Sequence, residues 1–161
     1  MNQATQTPIA IARITESGAM LMFGLSAKYQ APNNAGIPSQ WNRFGPYMDQ
    51  IQGQKGHIAY GVIYNSDDAG NFDYMCAVEV TEFPSSPPEL TRLRIPPQTY
   101  AVFEHREHIS SLQSTFHKIW NNGLAGSGYQ AADGPALERY GERFDPRTGL
   151  GGLEIWVPIR K

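Results

Sequence analysis

Twelve prolines and sixteen glycines cut this chain into short segments, and that punctuation constrains its fold more than any other feature. Proline removes a backbone donor and clashes with the preceding helical turn, while glycine carries a large backbone entropy, so neither is tolerated in long helix interiors. A bundle of long helices is excluded. The segments between breaks carry three Trp, eight Tyr and seven Phe, a composition that favours an α+β fold rich in antiparallel strands.

Alternation of apolar and small residues predicts strands over 9–14 and 20–25, separated by the turn Ser17-Gly18. Ser39 is the expected N-cap of a first helix. Trp41, Phe44, Met48 and Ile51 follow at the spacing of one helical face, and Pro46 is expected to kink or restart that helix. Strands over 58–64 and 72–80 flank the polar turn 65–71, a hairpin signal. The proline-rich stretch 84–88 marks a crossover. Strands over 90–95 and 100–105 come next, then a helix capped by 109–111 whose inward face is Leu112, Phe116, Ile119 and Trp120. A glycine-rich loop over 123–128 and strands over 137–144 and 153–159, joined by the turn 145–149, complete the chain.

Each half therefore reads strand, strand, helix, strand, strand. The predicted fold is a pseudo-two-fold duplication of a ββαββ-type unit within one domain over 1–161, with halves over 8–84 and 88–161. It has antiparallel sheets, two main helices and a ligand cleft between the halves. Local echoes support the duplication: Ile37-Pro38-Ser39-Gln40 answers Ile109-Ser110-Ser111-Leu112, and Tyr60-Gly61 answers Tyr140-Gly141.

The formal charge of −2 and the scatter of charges leave no basic stripe for phosphate binding, so direct nucleic-acid contact is not expected. No basic segment followed by an apolar core opens the chain, and no apolar stretch reaches bilayer length. A protein that avoids the membrane and resides in the cytoplasm is expected. The single cysteine, Cys76, sits in an apolar run and reads as a buried, inert thiol.

The last strand carries the chemistry. Leu153, Ile155, Val157 and Ile159 share one face, which must cover a helix, and Glu154, Trp156 and Pro158 share the other. On the preceding strand, Leu137 belongs to the core and Glu138 and Tyr140 to the opposite face. The expectation is one surface carrying both carboxylates and both aromatics, an acidic floor with aromatic walls. A carboxylate among rings is poorly solvated, and a cationic ligand restores the lost electrostatic stabilisation. The alternative is an ordinary solvated sheet face, against which Trp156 argues.

The run Leu93-Arg94-Ile95-Pro96-Pro97-Gln98-Thr99-Tyr100-Ala101-Val102-Phe103-Glu104-His105 resembles the IP-x-x-x-YAVF-x-H signature of gyrase-inhibitor-like (GyrI-like) effector-binding domains. Trp120, Gly128-Tyr129, Pro135 to Tyr140 and Glu154 to Ile159 are similar in the family's order. The resemblance implies the duplicated fold found in ligand-binding modules of AraC-type and multidrug-sensing MerR-type regulators. It implies that Glu138 reaches into an aromatic pocket and meets small organic cations, with Glu154, Trp156 and Tyr140 nearby. First-half candidates are Trp41, Phe44, Tyr60 and Met75. Such regulators carry a separate DNA-reading segment, so this chain is expected to act on a separate regulatory protein or as a ligand sink.

Some proteins resembling this family open strained rings, and on that reading Glu138 is the general base and Tyr140 or Tyr60 the orienting donor. A haem reading would need an axial ligand among His57, His105, His108 and His117, none in a recognisable setting. No cofactor and no metal are expected.

Overall fold

The computed structural model describes residues 10–31, 33–145 and 147–161. Nine strands and two helices follow the expected order: β1 (Arg13–Ser17), β2 (Met20–Gln30), α1 (Ile37–Met48), β3 (Gln54–Tyr64), β4 (Asn71–Val80), β5 (Thr91–Ile95), β6 (Gln98–His105), α2 (Leu112–Lys118), β7 (Gln130–Ala131), β8 (Ala136–Tyr140) and β9 (Leu153–Arg160). Ile9, predicted to open the first strand, lies outside the described residues, as do Pro32 and Pro146. The short β7 had no signal in the sequence.

The strands form one antiparallel sheet in the order β1-β6-β9-β8-β3-β4-β2-β5, with β7 added to β9. Outward from its centre the sheet runs β3, β4, β2, β5 on one side and β8, β9, β6, β1 on the other. This is the pseudo-two-fold of the duplicated unit. Its outermost strands are exchanged: β1 pairs with β6 of the second half, and β5 with β2 of the first.

Two links force the sheet to curl. Gly18-Ala19 joins β1 to β2, and Pro96-Pro97 joins β5 to β6, although each pair stands at opposite ends of the strand order. So short a link spans roughly 10 Å at most, so the two ends of the sheet must meet. Met20, Met22 and Ile95 from one end pack with Tyr100 and Val102 from the other, together with Tyr60, Val62, Met75, Leu137 and Trp156. These side chains fill the inside of the curl.

Both helices lie on the outer face. α1 covers Phe23, Tyr74, Cys76 and Val78, and the α2 segment covers Ala101, Phe103, Ile155, Val157 and Ile159. The alternation predicted for β9 is the one observed, with 153, 155, 157 and 159 turned to the helix side.

α1 is capped at Gly36 rather than at the expected Ser39, because Pro38 fits the first turn, where no amide partner is needed. It runs unbroken through Pro46 and ends two residues later. Gln40, fully buried, anchors it: its amide donates to the carbonyls of Leu25 (2.8 Å) and Tyr74 (2.9 Å), and its oxygen accepts from the Tyr29 hydroxyl (2.6 Å). α2 is shorter than its periodicity suggests. A 3-10 turn (Ile109–Ser111) precedes it and a π-helical turn (Ile119–Gly123) follows.

Candidate functional site

The two helices stand apart over the central strands β3 and β8, and the gap between them is a cleft of about 1200 Å³. Ile37, Pro38, Trp41 and Met48 of α1 form one wall. Leu112, Phe116 and Trp120 form the other, and Ile63, Tyr74, Glu138 and Tyr140 contribute the floor. No described Lys, Arg or His lines it, whereas three carboxylates do, those of Glu138, Asp67 and Glu142. The Asp67 carboxylate is committed to the β3–β4 turn, where it accepts from the backbone amides of Ala69 and Asn71 and from the Asn71 side chain, each at 2.9 Å.

Glu138 is the buried one, at 5 % exposure. It sits directly opposite Gly61 in the β3–β8 ladder, and Gly61 pairs with Cys76 on its other side. A side chain at 61 would overlap both the Glu138 carboxylate and the Tyr74 hydroxyl, so the bare glycine is what makes room for them. The Tyr74 hydroxyl donates to Glu138 Oε1 at 2.5 Å and the Tyr140 hydroxyl donates to the same oxygen at 2.8 Å. Trp41 Nε1 donates to the Tyr74 oxygen at 3.0 Å, which orients the tyrosine proton toward the carboxylate. Every buried side-chain polar atom among the described residues has a partner. No described residue donates to Glu138 Oε2, and since no buried side-chain polar atom among those residues lacks a partner, Oε2 is the oxygen left exposed at the cleft.

Burial raises the Glu138 carboxyl above the ordinary value of 4.5, against the opposing pull of the two tyrosine hydrogen bonds. Burial, reinforced by the Glu138 charge, pushes Tyr74 and Tyr140 well above 10, so both remain neutral donors. Burial also raises the Cys76 thiol, which keeps it in the unreactive thiol form.

Of the residues proposed from sequence, Glu138, Tyr140 and Trp41 are brought together in this cleft. Phe44 is fully buried beneath Trp41, with ring centroids 6.1 Å apart. Tyr60, Met75 and Trp156 point into the curl on the other side of the sheet.

The expected shared surface of Glu138, Tyr140, Glu154 and Trp156 does not exist. The β8–β9 ladder pairs Glu138 with Ile155, Leu137 with Trp156 and Arg139 with Glu154, so the two carboxylates face opposite sides. Glu154 instead accepts both arms of Arg13 (2.8 and 3.0 Å) and Trp156 Nε1 (3.0 Å), tying β1 to β9. Burial pushes its carboxyl up, but these hydrogen bonds and the Arg13 and Arg139 charges outweigh that and hold it below the ordinary value.

Sequence reasoning missed Tyr74 and Gly61. A glycine inside an apolar strand was the available signal for the close approach at 61; nothing local marked Tyr74. Trp120, expected on the inward face of its helix, is 54 % exposed and lines the cleft instead. His105 is buried between the Thr115 hydroxyl (2.8 Å) and the His108 carbonyl (2.9 Å), to which its Nε2 donates. His108 accepts the Ser110 amide, and His117 pairs with Asn121. The side chain of His57 lies outside what the structure describes.

The comparisons agree with this architecture. The transcriptional regulator BrlR of Pseudomonas aeruginosa is 30% identical over 150 residues, which cover 92% of this chain and 55% of the relative. The chain thus spans about half the length of that regulator. A structure of SAV2435 bound to tetraphenylphosphonium superposes with a TM-score of 0.72 at 17% identity, over 92% of this chain and 93% of the other. EcmrR, in a cryo-EM complex with DNA, gives a TM-score of 0.68 at 17% identity, over 92% and 57%. At these identities the two structures establish the fold. The profile of the GyrI-like small molecule binding domain matches residues 12–160, and the chain belongs to that family.

Proposed function

We propose that the cleft binds aromatic or lipophilic organic cations, with Glu138 as the buried counter-charge. The observation that carries this reading is the open oxygen of a buried carboxylate, facing an apolar cleft that no described basic residue lines. A cation placed there supplies the electrostatic partner that burial removed. Trp41 and Tyr140, with ring centroids 5.3 Å apart at 72°, offer faces worth about 0.5–2 kcal/mol each in cation–π attraction. Apolar burial at roughly 25 cal/mol per Å² supplies the rest, before the costs of association. Tetraphenylphosphonium, the ligand of SAV2435, is a compound of this class. Flat stacking surfaces accept many shapes, which suits broad, multidrug-type recognition. In a cytoplasmic setting such a domain senses or sequesters its ligand and passes the signal to a regulatory protein of the AraC or MerR type.

A second reading draws on the same carboxyl. A raised Glu138 pKa and an open Oε2 suit a general base that holds water for hydrolysis of electrophilic compounds, with Tyr140 and Tyr74 as donors. Tyr60, considered for that role from sequence, lies across the sheet.

The test is a titration with a fluorescent lipophilic cation, wild type beside Glu138→Gln. The proposal expects a loss of at least tenfold in affinity with an unchanged circular dichroism spectrum. Equal affinity in both proteins sinks it. Turnover of an electrophilic substrate by wild type, lost in the same variant, would favour the second reading.

A further inference from the structure

The aromatic side chains of the cleft differ in how firmly they are held. Tyr74 and Tyr140 are buried and fixed by their hydrogen bonds to Glu138. Trp41 is fixed by its bond to Tyr74 and by edge contacts with Phe44, Tyr74 and Tyr140. Trp120, on the opposite wall, is the exception. It is the most exposed of the large hydrophobic side chains among the described residues. None of those residues gives it an aromatic partner or a hydrogen bond to Nε1.

Its place in the chain explains this. Ile119 and Gly123 pack against Phe103 on the sheet, and a methyl group at 123 would press on the Phe103 ring. The π-helical turn over Ile119–Gly123 widens the helix between those two anchors. Such turns are uncommon and concentrate at functional sites. Here it leaves Trp120 projecting from the anchored face, over the cleft.

We propose that Trp120 is a specificity-determining residue that closes on the outer rings of multi-ring cations, so that the cleft selects ligands by ring number. The inference rests on the cation reading above. The inner half, around Glu138, Trp41 and Tyr140, offers charge and rigid faces to any cation small enough to enter. On the opposite wall Phe116 is packed against the sheet, and Trp120 offers an exposed aromatic face that can adjust to the ligand. A compact cation seated on Glu138 leaves Trp120 in water. A ligand with several aryl groups fills more of the cleft, reaches Trp120 and removes its exposed surface from solvent.

Isothermal titration with tetraphenylphosphonium and with phenyltrimethylammonium distinguishes the two halves, using wild type, Trp120→Ala, Trp120→Phe and Glu138→Gln. Trp120→Ala should weaken tetraphenylphosphonium about tenfold or more, change phenyltrimethylammonium by less than twofold, and leave the melting temperature unchanged. Trp120→Phe should restore most of the loss. On tetraphenylphosphonium binding, tryptophan emission should shift to the blue in wild type and not in Trp120→Phe. Unchanged tetraphenylphosphonium affinity in Trp120→Ala, or equal weakening of both cations, overturns the role of Trp120. If that happens while Glu138→Gln still abolishes binding, the counter-charge reading stands alone. If wild type binds neither cation, both fall.

Discussion

Gly61→Ala probes the centre of the site with a single methyl group. Residue 61 sits in β3 with Glu138 beside it in β8 and Cys76 in β4, so an added Cβ has no lateral escape. It would overlap Tyr74 Oη, Tyr74 Cζ and Glu138 Oε1. Tyr74 is 1 % exposed and held between Trp41 and Glu138, so the ring cannot swing aside without breaking the relay. Forcing a methylene into a packed interior costs about 1–3 kcal/mol. Loss of one hydrogen bond to a charged group adds about 1.5–3 kcal/mol. The two together come to about 2.5–6 kcal/mol. A domain of this size loses about 2–4 °C per kcal/mol, so the melting temperature should fall by roughly 10 °C. Cation affinity should fall with it, because the carboxylate is displaced. Gly45→Ala is the control: a Cβ there meets nothing within 4 Å, and exchanging a helix-interior glycine for alanine should stabilise by about 0.5–1 kcal/mol. Differential scanning calorimetry measures both. A Gly61→Ala protein melting within 2 °C of wild type, roughly the shift of a 1 kcal/mol change, would refute the claim that the bare glycine makes the site.

The raised Glu138 carboxyl predicts two opposite pH dependences. Its folded pKa lies above the unfolded value, so its contribution to stability is complete below about pH 4.5 and is lost as pH rises through the folded value. Cation affinity runs the other way: it should fall tenfold per pH unit once the pH drops below the raised value, and stay flat in Glu138→Gln. A wild-type affinity constant down to pH 4.5 would contradict this. Glu154→Gln should leave cation binding intact and destabilise by about 1 kcal/mol near neutral pH, since its partner Arg13 is half exposed to solvent. Because the Glu154 carboxyl is held below its ordinary value, that stabilisation should vanish as pH falls through the folded pKa, a trend readable from thermal melts of wild type and variant.

The local order of the chain was legible in its residue pattern alone. Proline and glycine breaks, turn residues and periodicity within each segment were enough to place four strands and one helix in each half, and to divide β9 into a helix-facing set and its opposite. Alternation on the last two strands also singled out Glu138 and Tyr140, the family resemblance added Trp41, and the fold gathers all three into one cleft. These features depend on neighbours a few residues apart. The offset between strands is different in kind. Side chains alternate within a strand whatever its partner, but which face of β8 matches which face of β9 depends on a ladder register that pairs Glu138 with Ile155. A shift of one residue reverses the answer, and no pattern inside either strand records it. The exchange of β1 and β5, the π-helical turn that frees Trp120 and the meeting of Tyr74 with Glu138 across three strands were likewise decided only by tertiary structure. Each depends on contacts between segments far apart in the chain, where the curl of the sheet settles which side is interior.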